Sequence, residues 1–277
     1  MFCDIGLAAR IERAEAEFMA ACTTAALRRT PQSGGFVMPI AGGVATYAEP
    51  GSPLNKVAGL GFAGVPDKEN LDEIERAHAE RGLPVQVELA HLVDPAVLAA
   101  LIDRGYRLTS YENVSGRALP GRPWPPPPAN IEVSVSGPEE FDAWLDVVID
   151  AVAHADTEGL PAHEEFPAQV IAGAMTDFAR AGVRRYAALL EGNLAGGASL
   201  RLADGIAQFG GAATAPPYRR RGVQSALLAT RLADAATAGC DIAVVTTQPA
   251  SKSQQNVQRW GFDLLYTRAI LVKDPIA

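Results

Sequence analysis

Little in this sequence is suited to a metal, a membrane or a nucleic acid. Its three cysteines, Cys3, Cys22 and Cys240, are odd in number and lack the paired spacing of a metal site. They read as free thiols in a reducing compartment. Of the four histidines, His78 and His91 carry no triad or metal spacing, and His154 reads as a surface or packing residue. No metal is therefore expected. Positive charge is in deficit: 24 Lys and Arg face 32 Asp and Glu, for a formal net charge of −8. That balance speaks against wholesale binding to nucleic acid or an anionic membrane, although a local basic site is compatible with it. No apolar run approaches the roughly 20 residues that cross a bilayer. The first residues, MFCDIGLAARIERAEAEF, read as an acidic helix and not as a basic stretch followed by an apolar block. No secretory signal is expected, and the reading is cytoplasmic.

What the chain does have is 277 residues, 48% hydrophobic, enough for two domains with sizeable cores. A helical pattern runs from about Asp4 to Arg29. Short apolar runs at 36–40, 43–48 and 56–62 follow as strands, separated by Gly, Pro and Ser. Then come a solvated helix at 69–82, a strand at 84–90, a helix at 94–105 capped by Asp94 with Pro95 in its first turn, and a strand at 106–119. Residues 120–130 contain four consecutive prolines and read as a semi-rigid connector between domains at 1–119 and 131–277.

The second domain opens with an alternating strand, 131–136, and a helix whose Phe141, Trp144, Leu145 and Val148 share one face. A polar loop, a helix at 167–182 and three antiparallel strands over 184–214 follow, with turns at Gly192-Asn193 and Asp204-Gly205. A helix, a strand, a short helix and a closing strand complete it. LIDRGYRLTSYENV in the first half and VQRWGFDLLYTRAI in the second form a faint internal repeat.

The densest information lies in Ile206–Ser225, IAQFGGAATAPPYRRRGVQS. An apolar strand with two glycines breaks at Pro216-Pro217, turns through three arginines and Gly222, and leaves as a helix. A helix N-terminus presents unpaired N–H groups and the positive end of the helix dipole, which suits a phosphate. Gly222 permits close approach of the backbone. Along the helix, Val223, Ala226, Leu227, Thr230 and Ala233 are expected to form the packing face.

These residues, in this order of elements, resemble the GCN5-related N-acetyltransferase (GNAT) superfamily over about 131–273. The superfamily's pyrophosphate motif is matched by Arg219-Arg220-Arg221-Gly222-Val223-Gln224, with Gln224 where a small residue is usual. Pro-Pro-Tyr (216–218) before it and Ser-Ala-Leu-Leu (225–228) after it also look like this family. The resemblance implies an α/β (α+β) fold of two GNAT-like domains, each a mixed, mostly antiparallel sheet flanked by helices. It implies acetyl-CoA as co-substrate. Arg219, Arg220, Arg221, Gly222, Val223, Gln224 and Ser225 would meet the pyrophosphate, and Ala212, Ala213 and Thr214 the pantetheine arm. Asn256 would contact the same arm. Gly210-Gly211 would mark a bulge or splay in the strand. Many members carry a tyrosine that protonates the leaving thiolate; Val257 stands at that position here.

The reaction implied is direct attack of a deprotonated amine on the acetyl thioester, the acceptor being a small molecule or a peptide. A carboxylate usually takes the proton. Glu158, Glu164 and Glu165 in the polar loop and Glu191 in the strand region are available, with Glu164 and Glu165 in the densest ionisable group. The first half has no Arg/Gly turn at its matching junction, and Asp67, Glu69, Asp72 and Glu73 crowd the helix start. Pyrophosphate would be repelled there, so this half reads as a degenerate copy. A non-catalytic acyl-CoA-binding or regulatory module is the competing expectation. The oligomeric state is not legible in the sequence.

Overall fold

Asp4, Asp67 and Asp94 each accept a hydrogen bond from a backbone N–H in the turn that follows. They start helices α1 (Ile5–Arg29), α2 (Lys68–Ala79) and α3 (Pro95–Asp103). The remaining helices are α4 (Phe141–Ala153), α5 (Ala168–Arg180), α6 (Val223–Thr237) and α7 (Lys252–Arg259). The strands are β1 (Phe36–Ile40), β2 (Gly43–Tyr47), β3 (Lys56–Ala58), β4 (Val85–Ala90), β5 (Arg107–Ala118) and β6 (Ile131–Val135). They continue as β7 (Arg184–Leu190), β8 (Asn193–Ala203), β9 (Ile206–Thr214), β10 (Ile242–Thr247) and β11 (Asp263–Lys273). The computed structural model describes residues 1–119, 123–154 and 166–275.

Two units emerge, and they interleave along the chain. The N-terminal unit holds residues 2–114, 166–177 and 264–275; the C-terminal unit holds 115–119, 123–154 and 178–263, with Met1. Strand β5 therefore begins in one unit and ends in the other. In the N-terminal unit β1, β2 and β3 are antiparallel neighbours, β4 returns parallel to β3 after the α2 crossover, and β11 pairs antiparallel with β4 from Lys273↔Val85 to Arg268↔Ala90. The last strand of the chain thus completes the sheet begun by the first half. In the C-terminal unit β6 to β9 are antiparallel neighbours, and β10 returns parallel to β9 after the α6 crossover. Both units are mixed, mostly antiparallel sheets flanked by helices. Both run three antiparallel strands, a helix and a parallel strand.

The turns follow backbone sign. Asp204-Gly205 joins β8 to β9 as expected, both residues having positive φ (48° and 76°). The turn between β7 and β8 falls one residue earlier than expected. Leu190 pairs with Asn193, so Glu191 and Gly192 turn, at φ 55° and 78°. The two-residue hairpin loop closes best with both central residues left-handed, and Glu191 accepts that conformation. The proline-rich connector is not free of the C-terminal unit: Trp124 packs on its core, with the Arg117 guanidinium 5.4 Å from the indole centroid.

The C-terminal core combines Ile131, Tyr186, Leu200, Phe209, Leu227, Leu232 and Phe262. The N-terminal core is built on Leu60, Ile74, Val87, Val97 and Leu101. Beside that second core lies a buried ionic cluster. Arg268 on β11, 2% exposed, donates to Glu12 of α1 (2.7 Å) and Glu88 of β4 (3.4 Å), and approaches Glu112 of β5 (3.9 Å). Lys56 pairs with Glu88, and the Tyr266 hydroxyl donates to Glu12 at 2.7 Å. Carboxylates outnumber cations, so burial and then the Glu88 charge push the Glu112 carboxyl from its ordinary 4.5 up to about 7. Burial also raises Glu15. A carboxyl raised in the native state holds a proton that the unfolded chain has lost, so stability falls as pH rises from 4.5 through 7. Glu112→Gln is expected to stabilise the protein by about 1–3 kcal/mol at pH 8 and to leave it nearly unchanged at pH 4.5. Urea denaturation at both pH values reads this directly; an equal effect at both would place the Glu112 proton elsewhere.

Candidate acyl-donor site

The site is made where two parallel neighbours stop pairing. Strands β9 and β10 run together from Ile206↔Ile242 to Phe209↔Val245. Beyond Phe209, strand β9 continues without β10 through Gly210, Gly211 and Ala212, all exposed, to the half-buried Ala213 and Thr214. Its other neighbour, β8, pairs with it throughout, but with a shift: Gly197 opposes Ala213 while Ser199 opposes Gly210. Strand β9 therefore carries an extra residue, a bulge, at Gly211 and Ala212. Gly211 sits at φ 55°, which a glycine reaches without strain. The bulge expected at Gly210-Gly211 falls one residue later, at Gly211 and Ala212. It leaves peptide groups of β9 facing a gap that β10 does not fill.

Past Thr214 the chain turns through Pro216–Tyr218, a 3₁₀ turn, and reaches the three arginines. They have separate tasks. Arg219 points inward: it donates to the Thr214 carbonyl (3.3 Å) and to the carbonyls of Ala151 and His154 at the end of α4. It thereby ties α4 to the end of β9. Arg221 is exposed, pairs with Glu191 at 2.9 Å and lies 6.0 Å from the Tyr218 ring centroid. Arg220, exposed and at φ 62°, makes no ion pair with the described residues. Gly222 at φ 92° is the N-cap of α6.

Gly222 brings no capping side chain to α6, and the helix's first turn holds no acidic residue. The first N–H groups of a helix need partners. At α2 the matching position is filled: Asp67 accepts from the Asn70 N–H at 2.7 Å, and Glu69 follows in the first turn. One helix N-terminus is closed by a carboxylate, and the other, among the described residues, is open beside two exposed arginines. The open one can hold a pyrophosphate through backbone donors, with arginine charge at its side.

The other expected ligands fall around this opening. Val223 is buried in the core, while Gln224 and Ser225 are half-buried on the first turn of α6. Asn256 is half-buried on α7, which Ser251 caps at 3.1 Å from the Gln254 N–H. Val257 is 2% exposed and belongs to the core, so the residue at that position supplies packing and no phenol. The expected packing face of α6 needs one correction. Ala233 is exposed; Arg231, Leu232 and Ala235 are buried instead, because the buried side follows the four-residue steps 223, 227, 231 and 235. Glu191, one of the candidate bases, is an exposed partner of Arg221. Glu158, Glu164 and Glu165 lie outside the described residues. Sequence reasoning passed over Thr247, at the end of β10. Its hydroxyl is buried and, like that of Thr214, has no partner among the described residues.

Residues 150–262 match the model of the acetyltransferase (GNAT) family. This part of the chain is a GNAT domain. The solved structures extend the likeness across both units. A GCN5-related N-acetyltransferase from Kribbella flavida superposes with a TM-score of 0.62 at 20% identity, covering 95% of this chain and 96% of that one. A tandem GNAT protein from the clavulanic acid biosynthesis pathway gives 0.57 at 12% identity, covering 84% and 74%. A GCN5-related N-acetyltransferase from Sphaerobacter thermophilus gives 0.57 at 16% identity, covering 76% and 68%. At these identities the likeness is one of fold. No curated protein sequence matches the chain. The GNAT match supports acyl transfer in general, and the strand order repeated in the two units gives both a GNAT-like fold. No helix among the described residues is long and apolar enough to cross a membrane.

Proposed function

We propose that the GNAT domain binds acetyl-CoA and transfers its acetyl group to the amine of a small molecule or peptide, in the cytoplasm and without a metal, nucleic acid or membrane. One observation carries this reading: the uncapped, acid-free start of α6 opens beside the gap between β9 and β10. The pyrophosphate would lie on the N–H groups of residues 222–225, with Arg220 and Arg221 at its side. The pantetheine arm would run along Ala212, Ala213 and Thr214 as an added strand, with Asn256 across from it. A freed N–H of the bulged strand would hold the oxyanion as the amine attacks the thioester carbon. Glu164 and Glu165 are the carboxylates proposed to take the amine proton. Arg219 belongs to the frame of the site and not to its ligand contacts, since its guanidinium already serves three carbonyls.

Titration calorimetry with acetyl-CoA, followed by thiol release across a panel of amines, amino acids and peptides, tests both halves of the reading. Binding in the micromolar range and release with at least one amine class are expected. Failure to bind would remove the site assignment. Binding with no thiol release across the panel would favour the acyl-CoA-binding module, for which the buried Val257 at the usual phenol position already speaks.

A further inference from the structure

Arg231 lies on the buried side of α6. It is 1% exposed on α6, forms no ion pair with the described residues, and burial lowers its pKa to about 9, which still leaves it charged at neutral pH. A guanidinium removed from water without a counter-ion is costly unless its donors are used. Here they are. Nε donates to the Leu227 carbonyl at 3.1 Å. Nη1 donates to the Ser199 carbonyl at 2.9 Å and to the Gly210 carbonyl at 3.3 Å. The guanidinium carbon lies 4.6 Å from the centroid of the Phe209 ring.

The two strand carbonyls mark one place. Ser199 and Gly210 are the register pair that flanks the bulge, and Gly210 is the first residue of β9 past its last pair with β10. We propose that Arg231 is a positioning residue that holds β9 in its bulged form and so keeps the gap between β9 and β10 open for the acyl-bearing arm of the donor. Without the guanidinium, the buried Ser199 carbonyl loses a donor, and so does the part-buried Gly210 carbonyl at the bulge. The strand satisfies the latter by straightening the bulge or by closing toward β10, and either move narrows the gap. The residue touches no part of the donor; it acts through the peptide groups of 210–214. This inference rests on the acyl-CoA reading above.

The test separates the two ends of the donor. CoA carries both nucleotide and pantetheine arm, whereas adenosine 3′-phosphate 5′-diphosphate carries the nucleotide alone. Wild-type protein, Arg231→Met and Arg231→Lys are titrated with each by calorimetry, with circular dichroism as the check on folding. In Arg231→Met, CoA affinity is expected to fall by about tenfold or more while the nucleotide's changes by less than about twofold. Arg231→Lys, which keeps a donor near the two carbonyls, recovers part of the CoA loss. Equal weakening of both ligands would mark a general structural role and overturn the proposal, as would unchanged CoA affinity. If Arg231→Met does not fold, the lysine variant carries the same comparison, with a loss confined to CoA as the supporting result. Wild-type protein that binds neither ligand would overturn the acyl-CoA reading itself, and this inference with it.

Discussion

Gly222→Asp is expected to abolish measurable acetyl-CoA binding while leaving the protein folded. Three effects converge on that backbone position. At φ 92° an L side chain is strained, and its Cβ would sit 3.0 Å from Pro128 Cγ, a contact that requires the connector to give by a few tenths of an ångström. A carboxylate there would also turn back onto the first N–H groups of α6, as Asp67 does on α2, consuming the donors meant for the pyrophosphate. It would finally place negative charge against the ligand's phosphates. Charge-assisted hydrogen bonds contribute roughly 1.5–3 kcal/mol each, so losing two of them corresponds to a drop of about a hundredfold or more. The new cap offsets part of the backbone strain, so the melting temperature should move by only a few degrees. Gly222→Ala is the control: it brings the strain without the anion and should cost about tenfold or less. Calorimetry showing wild-type affinity in Gly222→Asp would mean that the donor binds elsewhere.

Arg268→Met should produce the largest loss of stability. Glu12, Glu88 and Glu112 surround the guanidinium, and removing it leaves Lys56 as the cation that pairs within this group. Breaking a buried pair from one side leaves an uncompensated charge, at a cost of about 3–5 kcal/mol. The sign of the pH dependence follows. With the cation gone, the carboxylates bind protons more readily in the native state than in the unfolded one, so the deficit is greatest at pH 7 and above and shrinks as pH falls toward about 5. Glu12→Gln in the same background should restore part of the loss. Urea curves at pH 8 and 5.5 that show one constant deficit would rule out this electrostatic account.

Much of the fold is written in local signals. Asp94-Pro95 starts α3, Asp204-Gly205 turns β8 into β9, and Gly210-Gly211 announces the bulge. The open start of α6 is legible because Gly222 stands where a capping side chain would otherwise be. What stayed hidden depends on distant partners. Arg219, Arg220 and Arg221 read alike in sequence; only the carbonyls of Ala151 and His154 distinguish the first from the others. Arg231 looks like a charge on the polar side of a helix until Ser199 and Gly210 are placed beneath it. Nothing near Glu12 or Glu88 in the sequence announces that both are buried against Arg268. The pairing of β11 with β4 is likewise a choice between two apolar strands that no local pattern can make.

That pairing has a consequence for biosynthesis. The edge of β4 leaves the ribosome long before its partner, β11. At roughly 5–20 residues per second, the stretch between Ala90 and Leu264 takes roughly 10–35 s to translate. Throughout that interval the nascent N-terminal unit exposes an unpaired, apolar strand edge and a glutamate cluster without its arginine. The N-terminal unit thus waits on a distant strand for its completion, and during that wait a holding chaperone would matter to it.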